Sequence, residues 1–194
     1  MGMNALETMI LDKGLVLEGG ILKVDMFLNH QIEPKLIMAM GRDFHEHFKD
    51  KPITKVLTVE ASGIPIAMAT ALEFDVPVVF AKKGRHKNVG NDVYTSQVYS
   101  YTKGESYEIN ILKKYLTADD RVLFVDDFLA NGAAAKGIID IIGQAGASLL
   151  GIGIAIEKGF QDGGALLRGM GVDLYSLAII DRMEPGKITL REHD

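Results

Sequence analysis

Cysteine is absent from the 194 residues of this chain, which excludes a disulfide framework, a thiolate metal site and a cysteine nucleophile. No apolar stretch is long enough to cross a bilayer, and neither an arginine-rich transit peptide nor a secretory signal is recognisable. Met1-Gly2-Met3 begins like an acylation site, but Leu6 stands where serine or threonine is needed. A cytoplasmic protein without membrane contacts is the expectation. Two phosphate-loop patterns are missing as well. No Gly-x-x-x-x-Gly-Lys-Ser/Thr occurs, and Gly151-Ile152-Gly153 lies inside an apolar run that reads as strand, not as a dinucleotide fingerprint. Positive charge is scarce: 21 lysines and arginines face 26 acids, a net charge of −5. That balance argues against broad nucleic-acid binding, and it suits a polyanionic ligand only if cations are focused locally. Lys82, Lys83, Arg85, His86 and Lys87 form such a focus. They read either as a solvated basic loop or as a mobile flap that carries charge over a site as it closes.

The residues that are present point to one place. Val122-Leu123-Phe124-Val125 is a short continuous apolar run, the pattern of a strand buried on both faces. Asp126 and Asp127 follow it directly, where a parallel strand is expected to end and where open α/β sheets gather their ligands. Successive strand residues point to opposite faces, so the two acids serve different purposes. Beyond them Gly132 permits a tight turn, and the small residues Ala130, Ala133 and Ala134 let a ligand approach backbone N–H groups at a helix start. Ala134, Ala135, Ile138, Ile139, Ile141 and Ile142 then recur at helical spacing. Carboxylates suit ribose hydroxyls and the open loop suits a phosphate. An acidic strand end with an ordinary turn is the plain alternative for the acids alone.

Elsewhere strands and helices alternate without repeats or a linker, which predicts a doubly wound, mainly parallel α/β sheet in one domain over residues 1–194. Leu36, Ile37, Met40, Phe44 and Phe48 make an amphipathic helix beginning at Pro34. Strands are expected at Val56–Val59, Val76–Ala81, Leu149–Ile156, Leu174–Ile180 and Ile188–Leu190, with a helix near Pro65 running to Phe74. Tyr94–Tyr101 and Tyr107–Leu112 alternate in the manner of an antiparallel pair. The Ala61-Ser62-Gly63 turn offers backbone donors at a helix start, although Ser62 by itself reads as a helix cap. His45-Glu46-His47 lacks the zinc-helix spacing and reads as polar helix surface. Phe160 reads equally as core, hinge or a cover for a planar ligand.

The 13-residue block Val122–Ala134 resembles the signature of the type I phosphoribosyltransferases, which bind 5-phosphoribosyl pyrophosphate (PRPP). The resemblance implies that fold, with a small N-terminal hood over about 1–33 and a flexible antiparallel flap over about 82–112. It implies that Asp126 and Asp127 take the ribose, that Ala130, Asn131, Gly132, Ala133 and Ala134 take the 5′-phosphate, and that Ala61, Ser62 and Gly63 take pyrophosphate. Ala61 departs from the serine usual in such relatives, losing a hydroxyl but no backbone donor. Ala130 replaces the acid by which the hypoxanthine and guanine enzymes accept a proton, so that mechanism does not transfer. The segments Leu22–Asp25, Phe27–Gln31, Gln144–Ser148 and Ile156–Lys158 extend the resemblance over essentially the whole chain. They imply xanthine as the base, met by Leu22, Asn29 and Lys158, with magnesium held through PRPP and not by a dedicated protein site. A homodimer is implied too. A PRPP-sensing regulator of the same fold, or a transferase for another base, stays open at this point.

Overall fold

Val122–Val125 are fully buried in the middle of a sheet, and the rest of the architecture is arranged around them. The computed structural model describes residues 3–84, 92–100 and 104–192. In chain order the elements are α1 (Ala5–Lys13), the hairpin β1 (Leu15–Leu17) and β2 (Ile21–Lys23), and a π-helical turn at Asp25–Asn29. Next come α2 (Pro34–Phe48), β3 (Lys55–Val59), α3 (Gly63–Phe74), β4 (Val78–Lys83), β5 (Val93–Ser100) and β6 (Glu105–Leu112). The remainder is β7 (Arg121–Leu129), α4 (Ala133–Ala145), β8 (Ser148–Lys158), α5 (Gly163–Gly169), β9 (Leu174–Glu184) and β10 (Lys187–Leu190).

Eight strands form one sheet in the order β10-β9-β8-β7-β3-β4-β6-β5. The five central strands run parallel, while β10, β6 and β5 join antiparallel at the edges. Helices cover both faces, as the alternation of elements requires. α1, α2 and α3 share one core with Leu123 and Val125, and α4 and α5 share the other with Val122 and Phe124. Two glycines let α2 lie close on β8. A Cβ at Gly151 would stand 2.5 Å from the Phe48 ring, and one at Gly153 would stand 2.8 Å from the Phe44 ring. The strand reading of Gly151-Ile152-Gly153 holds, and its glycines serve helix packing.

Three details differ from expectation. The N-terminal helix α1 was not anticipated. β7 does not end at the acids but continues to Leu129, because β8 pairs alongside it as far as Leu129 opposite Glu157. On its other side, β7 pairs with β3 only to Phe124, so Asp126 and Asp127 stand beyond the reach of β3. Ser62 occupies the position before α3, yet its side chain makes no capping bond, its backbone being helical at φ −68° and ψ −26°, whereas a capping residue needs an extended backbone.

The anticipated antiparallel pair is present, from Val93 opposite Leu112 to Ser100 opposite Glu105. It is joined to β4 through β6, and the Asn110 amide donates to the carbonyls of Lys82 and Gly84 at 3.3 and 2.7 Å. Val98 and Ile109 pack over Gly137 of α4. Within the 82–112 segment, Arg85, His86 and Lys87 of the expected flap lie outside the described residues.

Candidate active site

At the carboxyl ends of β7 and β8, Asp126 and Lys158 face the same cavity of about 630 Å³. Its floor is Phe124, Asp126, Phe128 and Ile154, and one end is the loop Ala130–Ala134. The turn Gly19–Leu22, Tyr99 of β5, Lys158 and Gln161 complete its lining.

The loop Ala130–Ala134 is shaped by Gly132, whose φ of 77° lies in the left-handed region that a side chain disfavours. Gly132 is also the residue before α4, so no side chain caps that helix. Its first N–H groups, carrying the positive end of the helix dipole, are left for a ligand. The loop is braced from behind. The Gly163 N–H donates to the Ala130 carbonyl at 3.0 Å. α5 is in turn fastened to β8 where Arg168 grips buried Glu157 through two bonds of 2.7 and 2.8 Å. Ser176 donates to the same carboxylate. Burial pushes the Glu157 carboxyl up, but the bonds from Arg168 and Ser176 outweigh it and hold Glu157 below its ordinary value.

The two acids are adjacent and both largely buried from solvent. Asp126 is 8% exposed, and burial first, then the neighbouring Asp127 charge, raises its pKa well above the ordinary carboxylate value. Burial raises Asp127 as well. The Asp127 N–H donates to Asp126 Oδ1 at 3.1 Å, and the Phe128 N–H donates to Asp127 Oδ1 at 3.0 Å. Lys83 lowers both carboxyls, and its ammonium sits 5.5 Å from the centre of the Tyr107 ring. Burial and then the Asp126 charge push the Tyr107 hydroxyl up in its turn. A pair of crowded carboxylates with one nearby cation is an incomplete charge balance, ready for cationic or hydroxyl-bearing groups.

Not every expected residue lines the cavity. Asp126, Ala130, Asn131, Gly132, Ala133, Ala134, Leu22 and Lys158 do. Asp127, Asn29, Ala61, Ser62 and Gly63 fall outside that lining, and Asn29 is exposed at the end of the π-helical turn. The Ala61–Gly63 loop nevertheless abuts the acids. A Cβ on Gly63 would stand 2.1 Å from Thr58 Oγ1 and 2.8 Å from Asp126 Oδ1, so only glycine fits there. The Glu60–Ala61 peptide in this loop is cis. Lys158 is half-buried, and burial holds its ammonium below the ordinary lysine value. Phe160 is exposed and stands outside the lining. On α2, His47 stacks on Tyr175 and reaches Asp173 at 3.3 Å, and His45 meets the edge of Phe74, so these rings pack as well as face solvent. Tyr99, Tyr107 and Gln161 were missed by sequence reasoning. The two tyrosines had only the alternation of a strand to mark them, and Gln161 had no signal.

This arrangement is that of a known class. The phosphoribosyl transferase domain family matches residues 23–162, and the chain belongs to it. Among its relatives, the xanthine phosphoribosyltransferase of Ruminiclostridium cellulolyticum is 54% identical over 98% of this chain and 100% of its own length. The xanthine phosphoribosyltransferase of Heliobacterium modesticaldum is 56% identical over 96% of this chain and 98% of its own. Among solved structures, the adenine phosphoribosyltransferase of Rhodothermus marinus superposes with a TM-score of 0.74, covering 91% of this chain and 98% of that one at 20% identity. That last likeness speaks for the fold.

Proposed function

We propose that the protein transfers the 5-phosphoribosyl group of PRPP to xanthine, giving xanthosine 5′-monophosphate and pyrophosphate. The observation that carries this reading is the convergence of Asp126, the uncapped start of α4 and Lys158 on one cavity. A phosphorylated ribose matches the first two, and a carbonyl-bearing base matches the third.

The reaction breaks the bond from C1 of the ribose to pyrophosphate and forms one to a ring nitrogen of the base. Positive charge grows on the ribose as the leaving group departs. Asp126 and Asp127 hold the ribose hydroxyls and set negative potential beside that charge, in a site preorganised by burial. The first N–H groups of α4 anchor the 5′-phosphate, fixing C1 against the base. Ala61, Ser62 and Gly63, beside Asp126, take pyrophosphate on backbone donors. At the base, Leu22 supplies an apolar wall and Asn29 belongs to the hood that comes over it. Lys158 is a donor-only cation, which favours a carbonyl and disfavours an amine. It also favours the anion of an acidic oxopurine, and that anion in turn restores the ammonium that burial disfavours. No general base is then required, in keeping with Ala130.

Magnesium fits the donor set. Two adjacent carboxylates, both raised above their ordinary values, are hard oxygen ligands in need of a cation. Among the described residues no group of three or more His, Cys, Asp or Glu side chains stands together to hold a metal, so magnesium would be held through PRPP oxygens, with Asp126 and Asp127 beside it. When bound, magnesium neutralises the pyrophosphate leaving group. The reading carries with it a cytoplasmic setting and a homodimer. The exposed Met68 and Leu72 of α3, each 67% exposed, are consistent with a second copy covering that apolar face, which light scattering will measure.

The test is incubation with PRPP, magnesium and a panel of bases, with nucleotide formation followed by ultraviolet absorbance. Xanthine should be converted, with a rate that tracks the ionisation of xanthine itself across pH. Nucleotide from adenine or uracil alone would overturn the base assignment, and none from any base would favour a PRPP sensor.

A further inference from the structure

Glu157 is 2% exposed, lies outside the cavity lining and takes no part in the reaction described above. It stands near the end of β8, directly opposite Leu129 of β7, the residue before the loop Ala130–Ala134. A buried charge is costly unless it is paired and hydrogen-bonded, and here the pairing is complete. Each carboxylate oxygen takes one guanidinium N–H of Arg168, at 2.7 and 2.8 Å, and Oε2 also accepts from Ser176. What the pair holds in place is the start of α5. A Cβ on Gly164 would collide with Glu157 Oε1 and stand 2.6 Å from Arg168 Nη1. One residue earlier, a Cβ on Gly163 would collide with the Ala130 carbonyl oxygen and stand 2.8 Å from the Gly132 nitrogen. Two successive glycines thus let bare backbone press against the carboxylate on one side and against the loop on the other. The Gly163 N–H fastens the second contact by donating to the Ala130 carbonyl at 3.0 Å.

We infer that Glu157 is a positioning residue for the 5′-phosphate: through Arg168 and the Gly163-Gly164 backbone it holds the loop Ala130–Ala134 in the shape that receives an anion. The inference rests on the reading of that loop as the phosphate site. Four of its five residues are glycine or alanine, which supply no polar side chain to fix it. Its shape nevertheless has to keep Gly132 at a φ of 77° before the ligand arrives, because a loop ordered in advance binds more tightly than one that orders on binding. α5 supplies that order from outside. A planar fork of two charge-assisted bonds fixes both the distance and the angle of α5 against β8, which a single point charge does not. The effect falls on the ligand group that the loop holds and spares the base.

Two variants test this. Glu157→Gln combined with Arg168→Met removes the fork without stranding a buried charge, and Arg168→Lys keeps the charge but not the two-bond geometry. In calorimetric titration with ribose 5-phosphate, Kd should rise about tenfold in the double variant and roughly threefold in Arg168→Lys. The KM for PRPP should rise in step, while the KM for xanthine and kcat at saturating PRPP stay within about twofold of wild type. Should the double variant fail to fold, Arg168→Lys decides by the same measurements. A lowered Tm with unchanged affinity for ribose 5-phosphate would mark the pair as a support of the fold alone and overturn the inference. An equal rise in both KM values would overturn it too, by placing the effect on the adjoining Lys158 and the site at large. Wild-type protein that binds no ribose 5-phosphate would overturn the phosphate reading of the loop and the inference with it. Binding by wild type with the stated loss in the variants, but transfer to no base, would uphold the role of Glu157 and overturn the transferase reading.

Discussion

The first turn of α1 and the first turn of α4 meet the same requirement, a set of backbone N–H groups without helical partners, in opposite ways. α1 is closed by a reciprocal pair: Asn4 Oδ1 accepts from the Glu7 N–H at 2.9 Å, and Glu7 Oε2 accepts from the Asn4 N–H at 2.9 Å. The Asn4 amide also donates to the Leu177 carbonyl at 2.6 Å, tying the helix start to β9. α4 has Gly132 in the capping position and alanines after it, so no side chain among the described residues caps its start. α3, beside the acids, likewise has no side-chain cap. The difference separates a helix that serves the fold from helices proposed to serve a ligand. Where the chain satisfies its own amides, stability is local; where it leaves them open at a cavity, an anion completes the structure.

Three variants probe this contrast. The largest effect is expected for Asp126→Asn combined with Asp127→Asn, which removes the charge opposite the open helix start. Turnover should fall on the order of 10²–10³-fold or more, the scale of losing an electrostatic contact to a transition state. The fold should persist, and its pH dependence should change in a defined direction. Burial raises the folded pKa of Asp126 above the ordinary 3.8, so the folded chain binds more protons than the unfolded one over that window. The Asp126 contribution to stability therefore declines as pH rises from about 4 through the raised value, against the opposite contributions of Asp120, Glu157 and Asp173, whose carboxyls are held below their ordinary values. The double amide should lack that contribution, so its stability should gain more with rising pH than the wild type's in chemical denaturation across acid to neutral pH; an identical slope in both proteins would contradict the assignment.

Gly132→Val is expected to be next. It forces a branched side chain into φ 77° and places a Cβ 3.4 Å from the Gly163 Cα, at a cost of roughly 1–3 kcal/mol. The KM for PRPP should rise about tenfold or more, as 1.4 kcal/mol is tenfold in affinity, and the KM for the base should move less. The smallest effect belongs to Asn4→Ala. Losing the cap of α1 should lower stability by about 1 kcal/mol with both KM values unchanged. A kinetic effect there would erase the distinction between the two helix starts.

The same contrast explains what could be read from letters. The stripe Leu36, Ile37, Met40, Phe44 and Phe48 was legible because a helix period and burial coincide, and all five residues are buried. Continuous apolar runs marked β3, β7 and β8 for the same reason. α1 went unread because its buried side consists only of Leu6, Glu7 and Ile10, too few to make a stripe; its capping box, Asn4 and Glu7, was the available signal. The extension of β7 past the acids depends on β8 lying alongside, a tertiary fact that no window of β7 contains. At the site, Asp126, Asp127 and the loop after them were legible as a block, and Leu22 and Lys158 through resemblance. Asn29 ends a π-helical turn, which has no sequence signature, and it faces solvent outside the cavity lining. Tyr107 is marked only by strand alternation, and its proximity to Asp126 arises from β4 and β6 pairing beside β3.

The most direct test is a structure of the protein with PRPP and magnesium bound. The account predicts the 5′-phosphate within hydrogen-bond distance, about 2.7–3.2 Å, of the N–H groups at Asn131–Ala134, with the ribose hydroxyls turned to Asp126 and Asp127. A 5′-phosphate seated elsewhere, with the start of α4 making no contact to it, would contradict the account.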